Sequence, residues 1–385
     1  MDVSVVVVAV VVTALLFDFT NGFHDTANAM ATSIATRALS PKYAVALAGL
    51  LNIAGAFLSV QVAKTVSGGL VEESKITPVV IFGGLVGAIV WNLLSWLLSM
   101  PSSSSHALFG GLIGATWVYA GTDAIKFDSV LGKVLLPLAL SPIVAGIVAL
   151  VATRFAYRIT AHGAPDIVAN GFRRCQVVSA SLVALAHGTN DAQKTMGVIT
   201  LALITVNALP TNSAPPTWVI GACGLAIGLG TISGGWRIIR TLGKQIGDIE
   251  SPQGFTAETS STTAILSSTS LGYALSTTQI ATGSIFGASA GRRPSTVQWG
   301  VARRIGLSWL LTLPAAGVAG ALAGWIAGQG TAGTTAVAAA LVLLGAGAYL
   351  LSRRDPVTAK NVNDTPDRSS AALRDDRTVT IGTKK

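Results

Sequence analysis

Charge is what this sequence has least of. Only 11% of its 385 residues are Asp, Glu, Lys or Arg, against roughly 25% in an ordinary soluble domain. That excludes a solvated globular surface and an intrinsically disordered chain. Acidic residues are the scarcer sign, 17 against 26 Lys and Arg. The resulting net charge of +9 still does not make a nucleic-acid partner, because the basic residues fall in short clusters between long apolar runs. Cysteine is nearly missing, and Cys175 and Cys223 alone exclude a disulfide framework or a cysteine metal cluster. What is abundant is apolar side chain, 51% of residues with a mean hydropathy of +0.62, together with 42 glycines. This is the composition of closely packed membrane helices.

A span needs about 20 apolar residues to cross a hydrocarbon core about 30 Å thick. Eleven hydrophobic segments are legible, at 3–36, 43–63, 78–100, 103–120, 131–153, 175–207, 217–236, 258–275, 276–290, 305–328 and 333–351. The first has no basic residue ahead of it, the first Arg or Lys being Arg37, so it is expected to stay in the bilayer rather than be cleaved. Segments 103–120 and 276–290 are short and open with hydroxyl residues, which predicts re-entrant or broken helices. The fold class expected is an all-α integral membrane protein, a polytopic helical bundle. Arg154, Arg158, Arg173 and Arg174 form one basic cluster; Arg237, Arg240 and Lys244 form a second. Arg292, Arg293, Arg303 and Arg304 form a third, and Arg353 and Arg354 follow the last segment. Placing all of them in the cytoplasm puts the N-terminus outside and the C-terminus inside a multi-pass cell-membrane protein. Residues 355–385 are polar and without apolar periodicity, and read as a disordered tail.

The chain also repeats itself. Asn21–Met30 matches His187–Met196 with Gly, Asp and Met coinciding at an offset of 166, and Ser104–Gly110 matches Thr277–Gly283 at an offset of 173. The expected organisation is a first membrane repeat at 1–153, a basic cytoplasmic connection at 154–174, a second repeat at 175–352 and the tail from 353. Five crossings separate the two copies of the first motif, and an odd number reverses direction. The repeats are therefore expected to be inverted, a pattern that points to a secondary transporter with its site near the midplane.

The polar residues fit that role. Asp18, Asn21, Asp25 and Asn28 are spaced 3, 4 and 3 and lie along one helix face. His187, Asp191 and Lys194 repeat that geometry, with Asn190 adjacent. An intramembrane carboxylate costs at least ~2.5 kcal/mol, so these faces are expected to meet each other, a cavity or an ion. Their oxygens suit Na⁺, or a proton with a divalent metal. The runs Ser102–Ser105 and Ser276–Gln279 cap short helices, and two helix N-termini with hydroxyl donors would cradle a tetrahedral oxyanion. His106 reads either as a proton carrier or as a hydrogen-bonded helix residue. Asn92 reads as a supporting amide, and Glu258 as a gate or an interfacial residue.

Together, Asn21–Asn28, Ser102–Gly111, His187–Gly197 and Ser276–Gln279 resemble the inorganic phosphate transporter (PiT) family over about residues 1–352. The resemblance implies a commonly dimeric secondary transporter, not an enzyme, carrying inorganic phosphate with Na⁺ or H⁺, in some bacterial members as a neutral metal complex with Mg²⁺ or another divalent cation. By motif, it assigns Asn21, Asp25, Asn28, Asn190 and Asp191 to the coupling ion, and Ser104, Ser105, Thr277, Thr278 and Gln279 to phosphate. Asp18, Asn92, His106 and His187 are expected to support them. No resident cofactor is implied, and the metal ligands stay open. Na⁺-coupled members commonly carry Asn where Lys194 stands. An ammonium there repels Na⁺ and can neutralise phosphate or Asp191, which favours proton coupling. Ala274 stands where a Pro often precedes the hydroxyl run, so a softer helix break is expected. A sulfate permease of the same fold and, more remotely, an intramembrane aspartyl protease built on Asp25 and Asp191 are the competing readings.

Overall fold

The structure is a computed structural model and describes residues 3–69 and 71–364. Among these residues every regular element is helical. In chain order they are α1 (Val3–Ala35), α2 (Pro41–Ala56), α3 (Gln61–Gly69), α4 (Pro78–Leu97), α5 (Ser104–Ala120), α6 (Phe127–Val130), α7 (Leu136–Ile159) and α8 (Pro165–Thr205). There follow α9 (Thr217–Ser233), α10 (Trp236–Arg240), α11 (Ser251–Ser270), α12 (Thr277–Arg292), α13 (Trp299–Ala327) and α14 (Thr331–Ser352).

Among the described residues five stretches are long and apolar enough to cross a membrane: Val5–Ala35, Pro78–Leu97, Phe127–Ile159, Trp299–Ala327 and Thr331–Ser352. Two bent pairs bring the number to seven. Pro41–Ala56 with Gln61–Gly68 turns by 71°, and Thr217–Ser233 with Trp236–Gln245 by 60°. The expected continuous segment 43–63 is thus broken after Ala56. The basic connection expected at 154–174 is mostly helix, because α7 runs on to Ile159 and α8 starts at Pro165. Proline at the first helical position explains that early start, since its missing N–H is unbonded there in any case. The beginning of the expected tail is also structured. Arg237 donates to Asp355 O at 2.6 Å, Arg240 donates to Asn361 O at 2.8 Å, and Val362 is buried. The rest of that tail, from 365, lies outside the described residues.

Helix packing crosses between the two halves of the sequence. A Cβ on Gly22 of α1 would overlap Ile227 O of α9, and one on Gly188 of α8 would overlap Asn52 O of α2. Further along, Gly114 of α5 lies against Gly317 O of α13, and Gly287 of α12 against Gly146 O of α7. Such approach is open only to helices lacking a side chain at the crossing. Each contact therefore has a counterpart at a nearly constant offset. The outer faces of α7, α13 and α14 expose Ile147, Val151, Leu310, Val318, Val342 and Leu343. That apolar surface matches lipid tails and would not persist in water.

α1 and α8 run antiparallel. His187 Nε2 lies 4.0 Å from Asp25 Oδ2, and Thr36 Oγ1 donates to Gln176 Oε1 at 2.7 Å. Residue numbers rise along one helix as they fall along the other.

Candidate phosphate and cation site

The site forms where α1 and α8 meet the N-termini of α5 and α12. Ser103 caps α5 by accepting from His106 N, and Ser276 caps α12 by accepting from Gln279 N. This leaves Ser104 and Ser105, and Thr277 and Thr278, in the first turn of each helix. Their hydroxyls reach the two acidic helices in a repeated pattern. Ser104 donates to Asp25 Oδ2 at 2.7 Å; Thr277 donates to Asp191 Oδ2 at 3.0 Å. Asn28 Nδ2 donates to Thr278 at 3.1 Å; Lys194 Nζ donates to Ser105 at 2.6 Å. Thr278 also donates to Asp25 Oδ2 at 3.1 Å. Ser104, Ser105, Thr277, Thr278 and Lys194 are therefore bonded with Asp25, Asn28 and Asp191 in a single buried cluster.

Lys194 Nζ lies 2.5 Å from Asp191 Oδ1 and 2.8 Å from Leu275 O, in the linker before α12. Its side chain is fully buried, so its charge is compensated here rather than in solvent. His187 stands between the carboxylates, with Nε2 at 3.2 Å from Asp191 Oδ2 and 4.0 Å from Asp25 Oδ2. Its Nδ1 faces Asn52 Oδ1 at 3.2 Å. Asn52 is oriented by donating through Nδ2 to Thr231 Oγ1 at 2.7 Å, so the oxygen faces the ring and Nδ1 must carry a proton. Ligand atoms of Asp25, His187 and Asp191 all lie within 4.8 Å of one another.

Several buried atoms at the site have no hydrogen-bond partner among the described residues: Asn21 Oδ1, Asn28 Oδ1, Asn190 Oδ1 and both amide atoms of Gln279. Buried amide oxygens of this kind are hard ligands suited to a cation, and the Gln279 amide can donate to an anion.

Not every expected residue joins the cluster. Asn190 bonds outside the cluster through Nδ2, which donates to Thr269 at 2.8 Å, and only its Oδ1 is left unpartnered. Asn92 is buried but neither side-chain atom is bonded, and the same holds for the Asp18 carboxylate. His106 bonds its own cap, Nδ1 to Ser103 Oγ at 2.5 Å, as a hydrogen-bonded helix residue does. Two residues were under-read in the sequence. His24 joins Asp25 Oδ1 at 2.6 Å to Ser95 Oγ at 3.1 Å, and its adjacency to Asp25 was the available signal. Glu258 is buried and accepts from Thr32 and Ser33 at 2.6 Å, from Gln176 at 3.1 Å and from Ser179. No spacing pattern along α11 marked it.

Residues 21–320 match the phosphate transporter family. The chain belongs to that family. It is 53% identical over 359 residues to a probable low-affinity inorganic phosphate transporter of Mycobacterium tuberculosis, covering 92% of this chain and 86% of the relative. A relative of the same description from Bacillus subtilis is 41% identical over 329 residues, covering 85% and 98%. A solved structure described as the sodium-dependent phosphate transporter superposes with a TM-score of 0.76 at 23% identity, covering 84% of this chain and 99% of that one. At that identity the likeness concerns the fold. The PiT resemblance read from the four motifs therefore holds, and a phosphate transporter with several apolar helices is a multi-pass membrane protein. The protease alternative finds no support, since the relatives are named as transporters.

Proposed function

We propose that this member of the family is a cell-membrane symporter that imports inorganic phosphate with protons. The observation that carries this reading is His187. Its Nδ1 proton is held by Asn52, while Nε2 faces the carboxylates of Asp191 and Asp25. Protonation at Nε2 adds a positive charge between two negative ones and so binds a proton where an anion is to be accepted. Lys194 supports it, since an internal ammonium already occupies the Asp191 side of the cluster and repels Na⁺ there.

Phosphate enters by displacing hydroxyls from the carboxylates. Ser104, Ser105, Thr277 and Thr278 sit in the first turns of α5 and α12, whose N–H groups and dipoles favour an anion. Lys194 offers it a charge-assisted bond. The two halves then act as an inverted pair that opens alternately to each side; antiparallel α1 and α8 and the paired contacts support this. Placing the arginine clusters in the cytoplasm sets the direction, with the N-terminus outside.

A second reading, a divalent cation carried with phosphate, is favoured by the convergence of Asp25, His187 and Asp191. Neutral imidazole and two carboxylates are suitable ligands, but the neighbouring ammonium opposes a dication. His187→Gln separates the two. It keeps a donor toward Asn52 but cannot take up a proton. Proton coupling predicts that uptake into proteoliposomes loses its response to an imposed pH gradient. A variant that still responds, but requires more Mg²⁺, would favour the metal complex.

A further inference from the structure

We propose that a cavity at the foot of α1 is a second site for a phosphate group, separate from the central cluster and open to the arginine-bearing face. It encloses about 610 Å³ where the ends of α1 and α7 meet the starts of α8 and α11, and Arg37, Arg173, Thr36, Tyr157, Thr160 and Ser251 help to line it. The role assigned to it, a station for phosphate leaving the central site, rests on the transport reading above.

Charge favours an anion there. Glu250 also lines the cavity, but its oxygens are engaged by Arg292 at 2.5 Å and Tyr157 at 2.8 Å. Arg37 and Arg173 form neither an ion pair nor a side-chain hydrogen bond among the described residues. Thr36, Tyr157 and Thr160 already donate to Gln176, Glu250 and Ala156 O, so the groups open to an anion are the two exposed, uncommitted guanidiniums, which suit a tetrahedral oxyanion, and Ser251.

The backbone at Arg37 makes a turn that recurs in the chain. Its φ is +61°, a left-handed conformation that few side chains adopt. The chain leaves α1 there with Ala38 N and Leu39 N both donating to Ser33 O, at 2.9 and 3.2 Å. α8 ends in the same way. Asn207 has φ +56°, and Ala208 N and Leu209 N donate to Leu203 O at 2.9 and 3.3 Å. Asn is an ordinary residue for this turn. α4 ends on the same turn at Ser99, with φ +57° and Met100 N donating to Ser95 O at 2.8 Å, so the turn takes more than one residue type, and what sets Arg37 apart is that it lines the cavity.

A bonded chain links this cavity to the central site and also closes it off. Thr36 lines the cavity and donates to Gln176, and Gln176 donates to Glu258. Glu258 in turn holds Thr32 and Ser33, two turns or roughly 10 Å along α1 from Asp25. A phosphate route running along α1 between the two sites would part the Glu258 cluster.

The same phosphate chemistry is presented by free phosphate and by an anionic lipid headgroup, and one experiment separates them. Ala161→Cys places a thiol in the cavity wall. It is made in full-length protein with exposed Cys175 changed to Ser, reconstituted in neutral phosphatidylcholine and labelled with a charged maleimide. Inorganic phosphate, compared with chloride at equal ionic strength, is expected to slow labelling about threefold or more near twice its dissociation constant. Protection should persist in Asp25→Asn and vanish in Arg37→Asn and Arg173→Gln; Arg37→Asn keeps the turn found at Asn207. Labelling does not require transport, so a failed transport reading leaves this result intact. Absent protection, with Ala169→Cys as a second reporter in the same wall, overturns the site. Protection lost in Asp25→Asn but kept in the arginine variants does the same. Protection by phosphatidylglycerol but not by free phosphate overturns the exit station in favour of a lipid site.

Discussion

Thr278 Oγ1 lies 3.1 Å from Asp25 Oδ2, so a hydroxyl from late in the chain bonds a carboxylate from its beginning. Asn28 approaches the same hydroxyl from the next turn of α1. Removing it should therefore disturb both substrate and coupling. Thr278→Ala is expected to raise the half-saturating phosphate concentration about tenfold or more, a loss of about 1.4 kcal/mol or more, near the scale of one hydrogen bond to a charged group. Thr277→Ala, which loses the equivalent bond to Asp191, should behave alike. Phosphate uptake kinetics decide this, and unchanged half-saturation in both variants would remove these hydroxyls from the site.

Asp191 and Lys194 should be coupled in stability. Asp191→Asn leaves a buried ammonium without its carboxylate, a change that costs about 3–5 kcal/mol in comparable settings. Changing Lys194 to Asn as well removes the stranded charge, so the double variant is expected to recover much of the loss. Thermal unfolding of the purified proteins in detergent measures this; additive losses would contradict the pairing.

Glu258→Ala strands donors from Thr32, Ser33, Gln176 and Ser179 in a buried place. It is expected to cost about 1–3 kcal/mol or more. Glu258→Gln retains an acceptor oxygen and should fold better while transporting several-fold more slowly, because the cluster must open and reform in each cycle. The two variants are compared by thermal unfolding and by uptake rate. Full transport by Glu258→Ala would show that the cluster does not close the path.

The glycine contacts give a test of the crossed packing. Gly287→Leu puts a side chain into Gly146 O of α7, and Gly114→Leu into Gly317 O of α13. Both should fail to accumulate in the membrane. Gly221→Leu, where a Cβ meets open space, should accumulate normally. Quantitative membrane blots read the outcome, and normal levels of Gly287→Leu would place α12 away from α7.

Much of this arrangement was legible in the sequence because it rests on local chemistry. The 3-4-3 spacing put Asp25 and Asn28 on one face, and the hydroxyl runs marked the starts of α5 and α12. The offset between Asp25 and Asp191 foretold that they belong together. Other features depend on contacts that no spacing encodes. The break after Ala56 was hidden because 43–63 is mostly apolar, interrupted only by Asn52, Ser59 and Gln61; it is stabilised by Gln193 of α8, which accepts from Val62 N at 2.8 Å at the start of α3. Glu258 stood alone on α11, and its four donors come from α1 and α8. Asn92 lies one turn from Ser95, whose hydroxyl faces His24, and its amide atoms have no partner among the described residues.

Lys194 holds the place in α8 that Asn28 holds in α1. If its ammonium substitutes for a coupling cation, Lys194→Asn should create a requirement that the natural protein lacks, namely Na⁺ stimulation of phosphate uptake.

The most direct measurement is labelled phosphate uptake by the unaltered protein in proteoliposomes, with a pH gradient or a Na⁺ gradient imposed separately. Uptake driven by external acid and indifferent to Na⁺ is the result predicted. Uptake driven by Na⁺ and unmoved by the pH gradient would contradict proton coupling through His187.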